Sequence, residues 1–259
     1  MKNIKNKFKI YENIKDFLDL NNENLIIFCV ASNGIVDMVK NLIISAKNCN
    51  INIILFALDK YIVKNMTNMC DIVKYYNDTK CRKVNSKKQI LFETKEFKNV
   101  IFQRYFIGNE MLKRNKTYIY LDSDIVIEKN FVDDILNIFK TKSKVECIMQ
   151  THYGKNSCCA GIIIMKPCNN TLALDFDFFK KYKYEEYMND ELFFTSNVIV
   201  PKKINMHYLN NDLYPIGHHY YRYKEKIENK TYLIHFNFAI GEEKIIKMKK
   251  YNKWFVNKI

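Results

Sequence analysis

Leu25-Ile26-Ile27-Phe28-Cys29-Val30-Ala31 is an unbroken apolar run closed by the polar Ser32-Asn33-Gly34. Such a run reads as a strand buried on both faces that ends in a turn. Met38, Leu42, Ile43 and Ala46 then recur at helical spacing, and a second apolar run over 51–58 ends at Asp59. Strand, helix, strand is the parallel crossover unit, whose ligand end lies where the strands' C-termini meet their loops. Residues 61–69 predict a second helix, 71–76 a third strand and 77–89 a lysine-rich loop. Phe102, Tyr105, Phe106, Asn109, Met111 and Leu112 predict a helix ending in Lys113-Arg114-Asn115-Lys116, a favourable charge for a helix C-terminus. Thr117-Tyr118-Ile119-Tyr120-Leu121 is β-rich and delivers Asp122-Ser123-Asp124, after which Ile125-Val126-Ile127 resumes the extended pattern.

Further along, 131–139 reads as a helix, 145–149 and 161–165 as strands, and 169 to about 183 as helical. Residues 189–198 form a short acidic-then-apolar helix pattern, and 232–236 a late strand ending in His235-Phe236-Asn237. No internal repeat or low-complexity linker interrupts the pattern. A single α/β domain over 1–259 is expected, with a mixed, mostly parallel sheet flanked by helices.

Composition supports a packed core. The chain has 259 residues, 48% hydrophobic, with 18 Tyr and 18 Phe, so it carries the aromatic surface that disordered chains lack. Lys+Arg exceed Asp+Glu by 42 to 28, a net charge of +14, which attracts anions without choosing among nucleic acid, acidic glycans, phospholipid and nucleotide diphosphates. Abundant Lys, Asn and Ile indicate an AT-rich coding genome, which weakens the nucleic-acid reading of that charge. The eight cysteines form no Cys-x-x-Cys pair, and several sit in apolar runs; free thiols in a reducing compartment are expected. The N-terminus is polar and charged, unlike a signal peptide, and the longest apolar runs fall short of the ~20 residues a spanning helix needs. A soluble, cytoplasmic protein is expected.

Asp122 and Asp124 leave a buried strand on the same face if the strand stays extended. Burying both carboxylates uncompensated is prohibitive, and a divalent cation removes that cost. Hard oxygen ligands of this number suit Mn2+ or Mg2+ bound jointly with phosphate oxygens. A solvated turn is the bland alternative for Asp-Ser-Asp. The apolar context on both sides argues against it.

From Arg104 through Asp124 the sequence resembles the core of GT-A type glycosyltransferases, specifically the nucleotide-diphospho-sugar transferase family with its DxD motif. Three other segments resemble the same family in the same order. Ala31-Ser32-Asn33-Gly34, with Asp37-Met38 and Asn41, resembles its first nucleotide-binding loop. Asn189-Asp190-Glu191-Leu192-Phe193 resembles its Asp-Gln-x-x-Phe segment beside the donor sugar, and His235-Phe236-Asn237 with Gly241 and Lys244 its C-terminal signature.

The resemblance implies a single GT-A domain, with a nucleotide-binding part over about 25–127 and an acceptor and metal-closing part over about 128–259. It implies transfer from a nucleotide-diphosphate sugar, UDP favoured, to a hydroxyl of a glycan or protein, with retention of configuration. Asp122, Asp124 and His235 are then the metal ligands, His235 as a neutral imidazole. Ala31, Ser32, Asn33, Asp59, Arg104, Asp122, Ser123, Asp124, Gly241 and Lys244 are donor contacts, Lys244 neutralising the departing diphosphate and Arg104 pairing with Asp122. Asp190, Glu191 and Lys244 carry catalysis. Two departures stand out: Cys159-Ala160-Gly161 where the family has Asn-x-Gly, and Glu191 where it has Gln. With Asp190 and Glu191 both carboxylates, base-assisted inversion stays open.

Two rival classes remain at this point. One is a metal-dependent nucleotidyl- or phosphotransferase, although no Gly-x-x-x-x-Gly-Lys loop is present. The other is a basic nucleic-acid-binding protein on a degenerate transferase fold, disfavoured by lysines spread along the chain. His218-His219-Tyr220-Tyr221, following Tyr214-Pro215-Ile216-Gly217, is expected to flank a loop near the acceptor.

Overall fold

The computed structural model describes residues 8–256 apart from 79–80, 82–89, 91–93, 153–157, 175–189 and 202. Its centre is the first apolar run, strand β2 (Leu25–Ala31), which follows a short edge strand β1 (Ile10–Tyr11) and helix α1 (Ile14–Leu20). Alternate side chains of β2 enter two separate cores. Ile26, Phe28 and Val30 join one with Phe17, Phe102 and Tyr105, whereas Ile27, Cys29 and Ala31 join the other with Val39, Leu42 and Ile43. A strand covered on both faces needs no polar alternation, which is why this segment reads as a continuous run. Each large aliphatic or aromatic side chain among them contributes about 1.5–3 kcal/mol on burial.

Around β2 the chain lays down α2 (Val36–Asn48), β3 (Ile54–Ala57), α3 (Lys60–Met66), β4 (Ile72–Val73), α4 (Lys95–Lys113) and β5 (Thr117–Leu121). Strands β3 and β5 pair parallel with β2 on opposite sides. The carboxyl ends of β2, β3 and β5 therefore share one edge, the crevice where open α/β sheets bind ligands.

After β6 (Ile125–Ile127) and α5 (Val132–Thr141), strands β7 (Cys147–Thr151) and β8 (Cys158–Met165) extend the sheet, β8 antiparallel to both β5 and β7. Next come α6 (Asn169–Leu172), α7 (Asp190–Phe194), β9 (Met206–Tyr208), α8 (Gly217–Ile227), β10 (Leu233–His235) and α9 (Glu242–Lys250). Among the described residues the main sheet runs β1-β4-β3-β2-β5-β8-β7-β9, and β10 and β6 form a second, two-stranded sheet. It is the mixed, mostly parallel α/β architecture that the sequence predicts.

The departures have local causes. The second apolar run is only partly strand, because Ile51 N–H turns back to the Ala46 carbonyl (2.9 Å) at the end of α2. The predicted 71–76 strand stops at Val73, since Tyr75–Asn77 winds into a tight 3-10 turn. The 161–165 strand instead begins at Cys158 and is buried along its whole length, held by a neighbour on each side. His218-His219-Tyr220-Tyr221 lies in the first turns of α8, directly after the segment that precedes Gly217; Tyr220 and Tyr221 pack on Phe236 and Tyr251 there. Helix α6 ends at Leu172, with Ala173 and Leu174 already outside the helix; 175–183 of the predicted 169–183 helix fall outside the described residues, as do Asn189 and most of the 77–89 loop. No helix among the described residues is long and apolar enough to cross a membrane. All eight cysteines are free.

Candidate active site

At the end of β5, Asp122 donates its backbone N–H to the Gly161 carbonyl (2.8 Å), and the chain then turns through Ser123 into β6. That turn closes with Ile125 N–H on the Asp122 carbonyl (3.2 Å). Because β6 pairs with β10 in a register that sets Ile125 opposite His235, and Phe236 N–H reaches the Asp124 carbonyl (3.0 Å), the second sheet carries His235 to the aspartates. His235 Nε2 lies 3.3 Å from Asp124 Oδ1 and 3.7 Å from Asp122 Oδ2. Lys244, on the first turn of α9, places Nζ 2.6 Å from Asp124 Oδ2.

The imidazole stands where a side chain of β8 would otherwise be. A Cβ added to Gly161 would lie 2.0 Å from His235 Cε1, so only glycine leaves room. On its far edge His235 Nδ1 lies 3.0 Å from Gln150 Oε1 and 3.4 Å from Cys159 Sγ. A second-side partner of this kind fixes the ring and directs Nε2 at the carboxylates.

Electrostatics follow from this crowding. Burial pushes the Asp124 carboxyl up, but Lys244 and His235 overcome it and hold Asp124 far below the ordinary carboxylate value. Burial dominates at Asp122 and, with the charge of Asp124, outweighs Arg104, leaving Asp122 raised. Burial opposes charge on His235 and Lys244, yet the neighbouring aspartates raise both. The two carboxylates of this turn thus gather Arg104, His235 and Lys244 around them.

Arg104, buried on α4, ties this centre to Asp190 at the start of α7. Its Nη1 donates to Asp122 Oδ1 and to the Ala160 carbonyl, both at 3.1 Å, and its Nη2 pairs with Asp190 Oδ2. Tyr105 Oη also donates to Asp190 Oδ2 (2.8 Å), and Tyr120 Oη to Asp122 Oδ1. Asp190, only 9% exposed, is therefore engaged with Arg104 and Tyr105. Glu191 takes the Ala160 N–H on Oε1 (2.7 Å) and faces His152 Nε2 across 2.8 Å with Oε2. Burial raises Glu191, but the His152 and Ala160 contacts bring it below its ordinary value.

In the first loop, Ala31 and Ser32 are buried and Asn33 is half-buried. Asp59 caps α3 through Oδ1, which accepts Tyr61 N–H (2.8 Å) and Ile62 N–H (3.0 Å), and it accepts Asn33 N–H on Oδ2 (2.7 Å). Asp59 thereby fixes the loop that the sequence assigns to the nucleotide. Gly241 precedes α9 with φ of 60°, a left-handed value that glycine adopts without cost.

The structure thus gathers Asp122, Asp124, His235, Lys244 and Arg104, and sets Glu191 one layer away across Cys159. Sequence reading missed Tyr105, Tyr120, Gln150 and His152. Tyr105 and Tyr120 flank quoted motif residues and signal polar tips within apolar runs; His152 and Gln150 lack any local signal.

The donor set suits a divalent cation. Asp122, Asp124 and His235 each offer a ligand atom, all within 4.8 Å of one another, and the half-buried Asp122 and buried Asp124 carboxylates supply the charge such an ion needs. An Asp-Ser-Asp turn joined to a histidine and a lysine thus lies at the carboxyl edge of a mixed α/β sheet. The chain belongs to the nucleotide-diphospho-sugar transferase family, whose model matches residues 50–250. It is a glycosyltransferase of GT-A fold, which sets aside the phosphotransferase and nucleic-acid readings.

By sequence, no curated protein matches the chain. By fold it is similar to mouse xyloside xylosyltransferase 1 in its apo form (TM-score 0.53, 10% identity, 84% of this chain and 99% of that one). It is also similar to a glycosyltransferase involved in glycosylation of the major capsid of PBCV-1 (0.52, 11%, 86% and 99%). The glycosyltransferase GlyE of Streptococcus pneumoniae TIGR4 is a third similar structure (0.53, 12%, 92% and 64%).

Proposed function

We propose that the chain is a metal-dependent glycosyltransferase of one domain that moves a sugar from a nucleotide diphosphate, UDP favoured, to a hydroxyl of a glycan or protein, with retention. The observation that carries this reading is the convergence of Asp122, Asp124 and His235 with Lys244 seated on Asp124. When bound, Mn2+ or Mg2+ supplies positive charge to the diphosphate oxygens. Lys244 then meets the negative charge that grows on the leaving diphosphate, the kind of stabilisation worth most in transfer chemistry.

The remaining residues position the donor. Asn33, held by Asp59, faces the nucleotide, with the buried Ala31 and Ser32 shaping its loop and Gly241 letting α9 approach the diphosphate. Arg104 holds Asp122 and Asp190 in register, so Asp190 acts through that ion pair rather than as a base. Glu191 is left as the carboxylate that faces the sugar. A soluble, cytoplasmic setting with a reduced thiol complement completes the proposal.

The test is a thermal-shift and donor-hydrolysis screen of UDP- and GDP-sugars with and without Mn2+. Metal-dependent stabilisation by at least one nucleotide sugar is expected, together with its loss in Asp124→Ala. If no donor stabilises the protein, or if Asp124→Ala retains full hydrolysis, the reading is wrong.

A further inference from the structure

Beside the first cluster stands another group of ligand-type side chains, of which the reading above uses only Glu191. His152, Cys159 and Glu191 also offer atoms within 4.8 Å of one another. Cys159 is the shared wall: its Sγ lies 3.4 Å from His235 Nδ1 and accepts from Asn237 Nδ2 (3.6 Å). Glu191 is therefore one side chain removed from the metal-facing imidazole.

Both oxygens of Glu191 are directed. Oε1 is fixed by a backbone N–H of β8, a rigid donor, and Oε2 by His152 Nε2 at the end of β7. Held by both, the carboxylate stays ionised, as its lowered pKa also indicates. A fixed negative group is what positive charge developing on an anomeric carbon requires.

The imidazole is itself held from the other side. Phe238 packs edge-on against His152 (centroids 5.6 Å apart) and lies 6.4 Å from His218. It does so with φ of 59°, a left-handed conformation that is costly for a bulky residue and that clusters at functional sites. Phe238 belongs to the loop from His235 to Lys244, and its carbonyl accepts Lys247 Nζ (3.2 Å). The loop that carries a metal ligand and the diphosphate lysine thus presses on the histidine that holds Glu191.

We propose that His152 is a positioning residue for transfer, fixing Glu191 against the donor sugar and linked through Phe238 to the 235–244 loop. This role rests on the transferase reading. It makes no use of a second ion: the imidazole meets the carboxylate directly.

The experiment is a double-mutant cycle on metal-dependent donor hydrolysis, with melting temperature recorded for every variant. His152→Ala is expected to lower kcat about tenfold or more with donor KM within about threefold. His152→Gln, which restores an N–H donor, is expected to recover part of that loss. In a Glu191→Gln background His152→Ala should change kcat by less than about twofold, because the partner it positions is already altered. Phe238→Ala should lower kcat in the same direction by a smaller factor. Should His152→Ala fail to fold, the cycle is run with His152→Gln.

Losses that simply multiply in the double variant, or a His152→Ala defect confined to KM, would overturn the role while leaving the transferase reading intact. A wild-type protein that neither binds nor hydrolyses any nucleotide sugar removes both together.

Discussion

Two clusters of the same size lie back to back across Cys159, and they obey different electrostatics. Asp122, Asp124 and His235 bring two carboxylates into one buried turn, and Lys244 and Arg104 are drawn in as counter-charges. His152, Cys159 and Glu191 contain one carboxylate, already met by an imidazole and a backbone N–H. The first cluster carries two carboxylates at close range, a repulsion that a cation or a proton relieves; the second carries one that is already paired.

The sharpest way to break this comparison is to remove one carboxylate. Asp124→Asn is expected to lower metal-dependent donor hydrolysis by about 10³-fold or more, roughly 4 kcal/mol of transition-state stabilisation, read as kcat/KM. The second largest effect tests the space beside β8. Gly161→Ala should displace the imidazole and weaken Mn2+ binding about 10–100-fold, with a stability loss of roughly 1–3 kcal/mol, measured by metal titration and urea melts.

Next comes the metal alone. At about 100 times its dissociation constant, Mn2+ should stabilise the wild type by about 2.7 kcal/mol, and a chelator should reverse it. Cys159→Ser should keep that stabilisation to within a factor of about three in affinity. If the serine variant instead loses Mn2+ binding, the division between the clusters fails.

The smallest effect lies away from both. Glu146 accepts Asn205 N–H (2.9 Å), Asn170 Nδ2 (2.9 Å) and the Cys168 thiol, bracing the segments after β8 and before β9. Although burial raises it, these bonds lower its carboxyl below the model-compound 4.5. Its folded pKa being depressed, the stability it contributes is present above 4.5 and lost as pH falls through the folded value. Urea midpoints of Glu146→Gln should therefore fall less steeply than wild type below about pH 5, and coincide in slope above it.

Legibility in the sequence followed the same division. Strands β2 and β5 announce themselves because both faces are covered, and the acids that end β5 stand out against that background. His235 and Lys244 were legible by their spacing and by resemblance. The pairing of Arg104 with Asp190 was not, since the partners are 86 residues apart and each sits on its own helix. His152 meets Glu191 across 39 residues, again with no local signal. Edge strands β1 and β9 are too short to show a period, and α8 drew no helix reading because its aromatic residues face two neighbours at once.

Gly161 carries a lesson for anyone who would move this chemistry to another protein. Its missing side chain is occupied by a ring from a segment 74 positions later in the chain. Grafting the two aspartates and the histidine onto a new sheet would transfer those side chains without the hollow that receives the ring. The transplant would need a vacancy on the strand beside the aspartates as a design element in its own right.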